Sequence, residues 1–171
     1  MPVEVYGADE QDAQPVALAD LIALAAAALE SEGVKAPAEV SLLFVDEEAI
    51  AAFNERFMHK LGPTDVLSFP IEDEFIPSGR FPDSGTSGPG MNDELDEAPI
   101  LLLGDVVICP SVAARNAVDH EVSLEAEMAL LVVHGILHLL GWDHKVDAEA
   151  ERMEARERLL LERFYVPRGG S

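Results

Sequence analysis

At 171 residues the chain has the length of one ordinary domain with a real core, and its 49% hydrophobic content excludes global disorder. Its 33 acidic against 11 basic residues leave a formal charge of −22, a surface that repels nucleic acid on average unless bases or a metal gather locally. A lone cysteine, Cys109, excludes an intramolecular disulfide and, within its apolar run, is expected to pack as a small hydrophobe.

Val3-Glu4-Val5-Tyr6 alternates and predicts a short first strand. The N-terminus has neither the basic start nor the apolar run of a signal peptide, and Ala23 to Leu29 is too short to cross a bilayer, so a cytoplasmic protein without a membrane is expected. Residues 15–31 read as a helix, with Pro15 in its first turn and Gly33 past its end. Glu39 to Val45 is a strand; Asp46 then caps a second helix that runs to Phe57 or Met58. After Gly62-Pro63, the segment Val66 to Pro70 alternates and stops at a proline, as an edge strand does.

Residues 72–99 change character: proline and glycine are frequent, eight acids face a single base, Arg80, and a solvated acidic insertion is expected. Ile100 to Ile108 resumes an apolar strand whose lack of clean alternation suggests cover on both faces. A short helix over 111–118 follows, then Ser123 caps a helix that runs to Leu140, and residues 147–164 form a charged amphipathic helix with Met153, Leu160, Leu161 and Phe164 inward. The sum is an α+β domain over 1–171: a small mixed sheet of about four strands, flanked by about five helices.

The helix that ends at Leu140 carries the chemistry. His134 and His138 are four residues apart, so their rings leave one face a turn apart; Gly141 suits the left-handed helix stop, and the turn returns His144 toward them. Three imidazoles without a cysteine or fourth protein ligand form the donor set of a catalytic zinc site. Asp143 is either a ligand's orienting acceptor or a cap of the turn. His59 and His120 fall outside this spacing and are expected at the surface.

The spacing His134-x3-His138-x2-Gly141-x2-His144 matches the metzincin peptidase frame at every metal position, but Gly135 stands where those enzymes carry the glutamate general base. The same eleven residues, His134 to His144, resemble the HGxLHLxGxDH signature of the YbeY family of bacterial endoribonucleases. Gly62-Pro63-Thr64-Asp65-Val66-Leu67-Ser68-Phe69-Pro70 is similar to that family's PTDVLSFP segment, and Leu103-Gly104-Asp105-Val106-Val107-Ile108 to its LGDI-type strand. The resemblance implies a zinc-dependent, single-strand-specific endoribonuclease that matures ribosomal RNA, including the small-subunit 3′ end, and acts in ribosome quality control. Its partners are then ribosomal RNA precursors and ribosomal particles, and its metal ligands His134, His138 and His144.

The family's functional arginine lies five residues ahead of the proline, where this chain has Met58; Arg56 lies two residues before it and Lys60 two after. Arg56 and Lys60, with Asp143, are the candidate catalytic groups. A positive cleft lined by some of Arg56, Lys60, Arg80 and Arg115 is expected to offset the acidic exterior, and Ser68 and Asp105 are further pocket candidates. Two other readings follow from the same residues: a metallopeptidase or other zinc hydrolase, from the metzincin frame, and a non-catalytic zinc-stabilised ribosome-assembly factor, from Met58 and the acidic surface.

Overall fold

The structure, a computed structural model, describes residues 3–34, 37–71, 101–142 and 147–165. The acidic insertion, Arg80, Asp143, His144 and the C-terminal tail lie outside the described residues. Four strands, β1 (Glu4–Asp9), β2 (Ala38–Phe44), β3 (Val66–Pro70) and β4 (Leu101–Ile108), form one sheet in the order β1-β2-β4-β3. β1 and β4 lie parallel to β2, whereas β3 runs antiparallel to β4 at the edge. The sheet is mixed, and a strand that ends at Pro70 occupies an edge, where the missing N–H costs no ladder bond.

Five helices accompany the sheet among the described residues: α1 (Leu18–Ser31), α2 (Glu47–Phe53), α3 (Pro110–His120), α4 (Leu124–Leu139) and α5 (Asp147–Phe164). Both caps read from sequence form. Asp46 accepts from the Ala49 N–H at 2.9 Å, and Ser123 from the Ala126 N–H at 3.0 Å. The boundaries depart most from expectation at three places. β1 runs on to Asp9 because β2 pairs it residue for residue through Asp9↔Phe44. α1 begins at Leu18 instead of near Pro15, with Ala17 as a cap that makes no side-chain bond. The regular part of α2 stops at Phe53, and Asn54–Met58 continue it as a wider π-turn. There the buried Asn54 side chain donates to the Gly62 carbonyl at 2.9 Å, which draws the following loop back under the helix end.

The core lies mainly on one face of the sheet. Val40, Leu42 and Phe44 of β2 and Val106 and Ile108 of β4 meet Leu24, Ala28 and Leu29 of α1 and Val132, Val133, Ile136 and Leu137 of α4. Met153 and Leu160 of α5 close this layer from behind, with Leu161 and Phe164 packed at its margin. Fully burying each such aliphatic side chain stabilises the fold by about 1.5–3 kcal/mol. A smaller cluster of Val45, Ile50, Leu67, Val107 and Cys109 covers the opposite face. The C-terminal half of β4 is thus covered on both faces, whereas Leu101 and Leu102 at its start are exposed. Cys109 is buried, as its apolar run implies, and that burial pushes its thiol pKa up. No single described helix is long and apolar enough to cross a membrane.

Candidate functional site

The sheet holds α4 unusually close at one residue. A Cβ placed on Gly135 would lie 2.5 Å from Val106 Cγ1 and 3.4 Å from Ser68 Oγ, so glycine is what lets the helix backbone rest on β3 and β4. Ser68 uses the contact to donate its hydroxyl to the Gly135 carbonyl at 3.1 Å. The same geometry counts against the peptidase reading, because position 135 faces Val106 and Ser68 and carries no carboxylate.

Alternation along β4 sends Val106 toward α4 and the neighbouring Asp105 away from it. Asp105 hydrogen-bonds Ser41 on the other face of the sheet, and desolvation pushes its carboxyl pKa up against that bond. Of the two pocket candidates, then, only Ser68 touches the histidine helix. Asp65 in the same segment acts as a brace. Asp65 accepts from the Asn116 side chain of α3 at 3.0 Å, and its carbonyl accepts from the Cys109 N–H at 2.9 Å.

One turn of α4 separates His134 and His138, and their rings meet. Their Nε2 atoms are 3.1 Å apart, with ring centroids at 4.6 Å and planes at 78°. On the far side of His134, Nδ1 hydrogen-bonds Oε2 of Glu157, a buried residue of α5. An ionised carboxylate only accepts, so Nδ1 is the donor of this bond. Two imidazole nitrogens that share one tetrahedral zinc at ~2.0–2.1 Å stand about 3.3 Å apart, so the observed convergence, with a carboxylate behind one ring, fits the donor set of such an ion.

The helix then stops as a glycine cap requires. Gly141 has φ 99°, its N–H donates to the His138 carbonyl at 3.0 Å, and the Trp142 N–H donates to the Leu137 carbonyl at 3.0 Å. This pair of bonds turns the chain immediately after the second histidine. Trp142 folds back against the main core, and Asp143 and His144, next in sequence, lie outside the described residues. Among the described residues no group of three or more metal-ligating side chains comes together.

Arg56 and Lys60 are exposed on and after the π-turn. The Arg56 guanidinium sits 5.4 Å from the Phe57 ring centroid, and Phe57 in turn packs edge-on against Phe69 of β3, with centroids at 5.3 Å. Phe69 belongs to the smaller cluster, so this platform is anchored on the face of β3 turned away from α4. Arg115, expected to line a positive cleft, is engaged by Glu47 of α2 at 2.7 Å. Met58, at the position of the family arginine, is exposed between Arg56 and Lys60. His59 is exposed in the left-handed region at φ 59°, and His120 is exposed and paired with the buried Glu127 at 2.9 Å.

Sequence reasoning did not find Glu157. It sits on the inner row of α5, four residues after Met153 and three before Leu160, both buried, and a carboxylate at such a core position is the signal that was available.

The sequence profile of a family described as Endoribonuclease YbeY matches residues 7–165. Curated relatives of that description include one from Beutenbergia cavernae, 47% identical over 144 residues, which span 84% of this chain and 86% of the relative. One from Nocardia farcinica is 44% identical over 146 residues (85% and 72%), and one from Mycolicibacterium vanbaalenii 43% over 147 residues (86% and 73%). In fold, the chain is similar to the solution structure of a Thermotoga maritima protein, with a TM-score of 0.53 at 21% identity over 98% of this chain and 99% of that one. With its profile matched from the first strand to the end of the last helix, the chain belongs to the endoribonuclease YbeY family.

Proposed function

We propose that this chain is a zinc-dependent endoribonuclease that cleaves single-stranded segments of ribosomal RNA precursors, including the 3′ end of small-subunit RNA, and that it works in the cytoplasm on ribosomal particles. Membership of an endoribonuclease family carries the reaction class, and the convergence of the His134 and His138 Nε2 atoms at 3.1 Å is the structural observation that supports a metal. His134, His138 and His144 would hold the ion. When bound, zinc supplies Lewis-acid chemistry, neutralising charge at a phosphate under attack.

The chain's own groups divide the remaining work. Glu157 orients His134, and the Gly135 contact sets the depth of the histidine helix against the sheet. Arg56 and Lys60 offer exposed positive charge beside the edge strand β3, in a protein whose net charge of −22 otherwise turns RNA away. Asp143, beside His144 in sequence, is the further candidate at the turn.

Metal analysis together with cleavage of a single-stranded RNA, wild type beside His138→Ala, tests this reading. Wild type should carry zinc and nick the RNA, and the variant should do neither. Cleavage by a zinc-free variant at the wild-type rate would refute it. Bound zinc and association with ribosomal particles without any cleavage would favour an assembly factor instead.

A further inference from the structure

The carboxylate behind His134 comes from another helix, 23 residues further along the chain. We infer that Glu157 is a positioning residue for this site: it fixes His134 as the Nδ1–H tautomer, so that Nε2, the nitrogen that faces His138, keeps its lone pair. The inference rests on the proposed reading only in assigning that lone pair to a cation. The tautomer itself belongs to the metal-free chain.

Burial gives the first reason. A carboxylate taken from water costs free energy unless paired, and Glu157 stands in the apolar row of α5 between Met153 and Leu160, where another leucine would pack without that cost. Its partner there is the ring nitrogen of His134 that faces away from His138. Chemistry gives the second. A histidine in water favours the other tautomer, with its proton on Nε2, which would direct an N–H at the space between the two rings. A carboxylate at Nδ1 reverses that preference, because it accepts a hydrogen bond and offers none.

Placement gives the third reason. Residue 156, next to Glu157, is an arginine whose Nε donates to the carboxylate of Glu32, just past the end of α1. This ion pair pins α5 to α1 beside the orienting residue. The histidine pair is therefore set by two helices, and α5 must dock before His134 is held in register.

Nitrogen-15 NMR of histidine-labelled, metal-free protein reads the tautomer, and competition with a chromogenic chelator reads zinc affinity. Wild type should show His134 protonated at Nδ1. In Glu157→Leu that proton should move to Nε2, and zinc affinity should fall by about 10–100-fold, the usual cost of losing an orienting partner. Glu157→Gln, whose amide oxygen still accepts, should keep the Nδ1–H form and lose less affinity. A purely structural role would lower the melting temperature of both variants and leave tautomer and affinity alone, which would overturn the inference. Should Glu157→Leu fail to fold, Glu157→Met, closer in shape to the native side chain, takes its place: a proton moved to Nε2 with weakened zinc binding supports the role, and a wild-type tautomer with wild-type affinity overturns it. Wild type that binds no zinc would refute the metal reading, while the tautomer shift in the metal-free variants would still decide the role of Glu157.

Discussion

The two ends of α4 carry the same pair of side chains to different effect. Near its start, its Glu127 meets Nδ1 of His120, the last residue of α3, at 2.9 Å; toward its end, its His134 presents Nδ1 to Glu157 of α5. Both glutamates are buried, with side chains 2% and 9% exposed. The histidines differ, since His120 is 56% exposed and His134 is 28% exposed with a second imidazole against its Nε2. A carboxylate–imidazole pair alone is thus a device for burying an acid. A second ring at the opposite nitrogen is what sets the His134 pair apart, and under the proposed reading the two rings supply two of the three zinc ligands.

The sharpest way to break the comparison is to remove that second ring. His138→Ala should lose bound zinc and reduce RNA cleavage by more than about 100-fold, beyond what losing an orienting partner costs. His120→Ala should keep both. Metal analysis and a cleavage assay on the two variants, side by side, check this; equal losses would mean that the ends of the helix are not functionally distinct.

Packing separates the two ends next. Gly135→Ala should destabilise the protein by about 1–3 kcal/mol in urea unfolding, because the added methyl meets the stiff Val106 side chain at 2.5 Å in a filled core. Better helix propensity returns at most about 1 kcal/mol of that. At the other end the backbone depends on a cap instead. Ser123→Ala should cost about 1 kcal/mol, since it frees the Ala126 N–H that Ser123 satisfies. Cleavage measured well below each variant's melting temperature should drop for Gly135→Ala, whose shift moves the histidines, and hold for Ser123→Ala.

Much of this was legible from local signals, and what was missed depended on distant ones. Asp46 and Ser123 were readable as caps because a cap needs only its own helix. Gly141 was readable as a stop because a left-handed residue is a local demand. The extension of β1 through Gly7-Ala8-Asp9 was not, because its pairing partners lie in β2. The π-turn at Asn54 answers a bond to Gly62, and Gly135 answers the approach of Val106 and Ser68. Glu157 was the clearest loss: on an acidic helix one more glutamate looks solvated, although its place four residues after Met153 and three before Leu160 puts it on the inner row. Asp143, which stands beside a histidine in sequence, lies outside the described residues.

The smallest effect is a pH dependence confined to the start of α4. His120 has its pKa raised above 6.5, first by the hydrogen bond to Glu127 and then by the charge of that carboxylate, with Asp119 and Asp65 adding to it and partial desolvation opposing. A raised folded pKa means that the native state binds the proton more tightly than the unfolded chain does. The pair's contribution is therefore complete below pH ~6.5 and is lost as pH rises through the folded value. Its size is modest, because the ring is exposed and water screens the charge. Urea midpoints measured from pH 6 to pH 8.5 should decline for wild type, and the decline should flatten in His120→Asn, which keeps a hydrogen-bond donor but cannot charge. A variant whose midpoints track wild type across that range would show that the pair at the start of the helix contributes nothing through its charge.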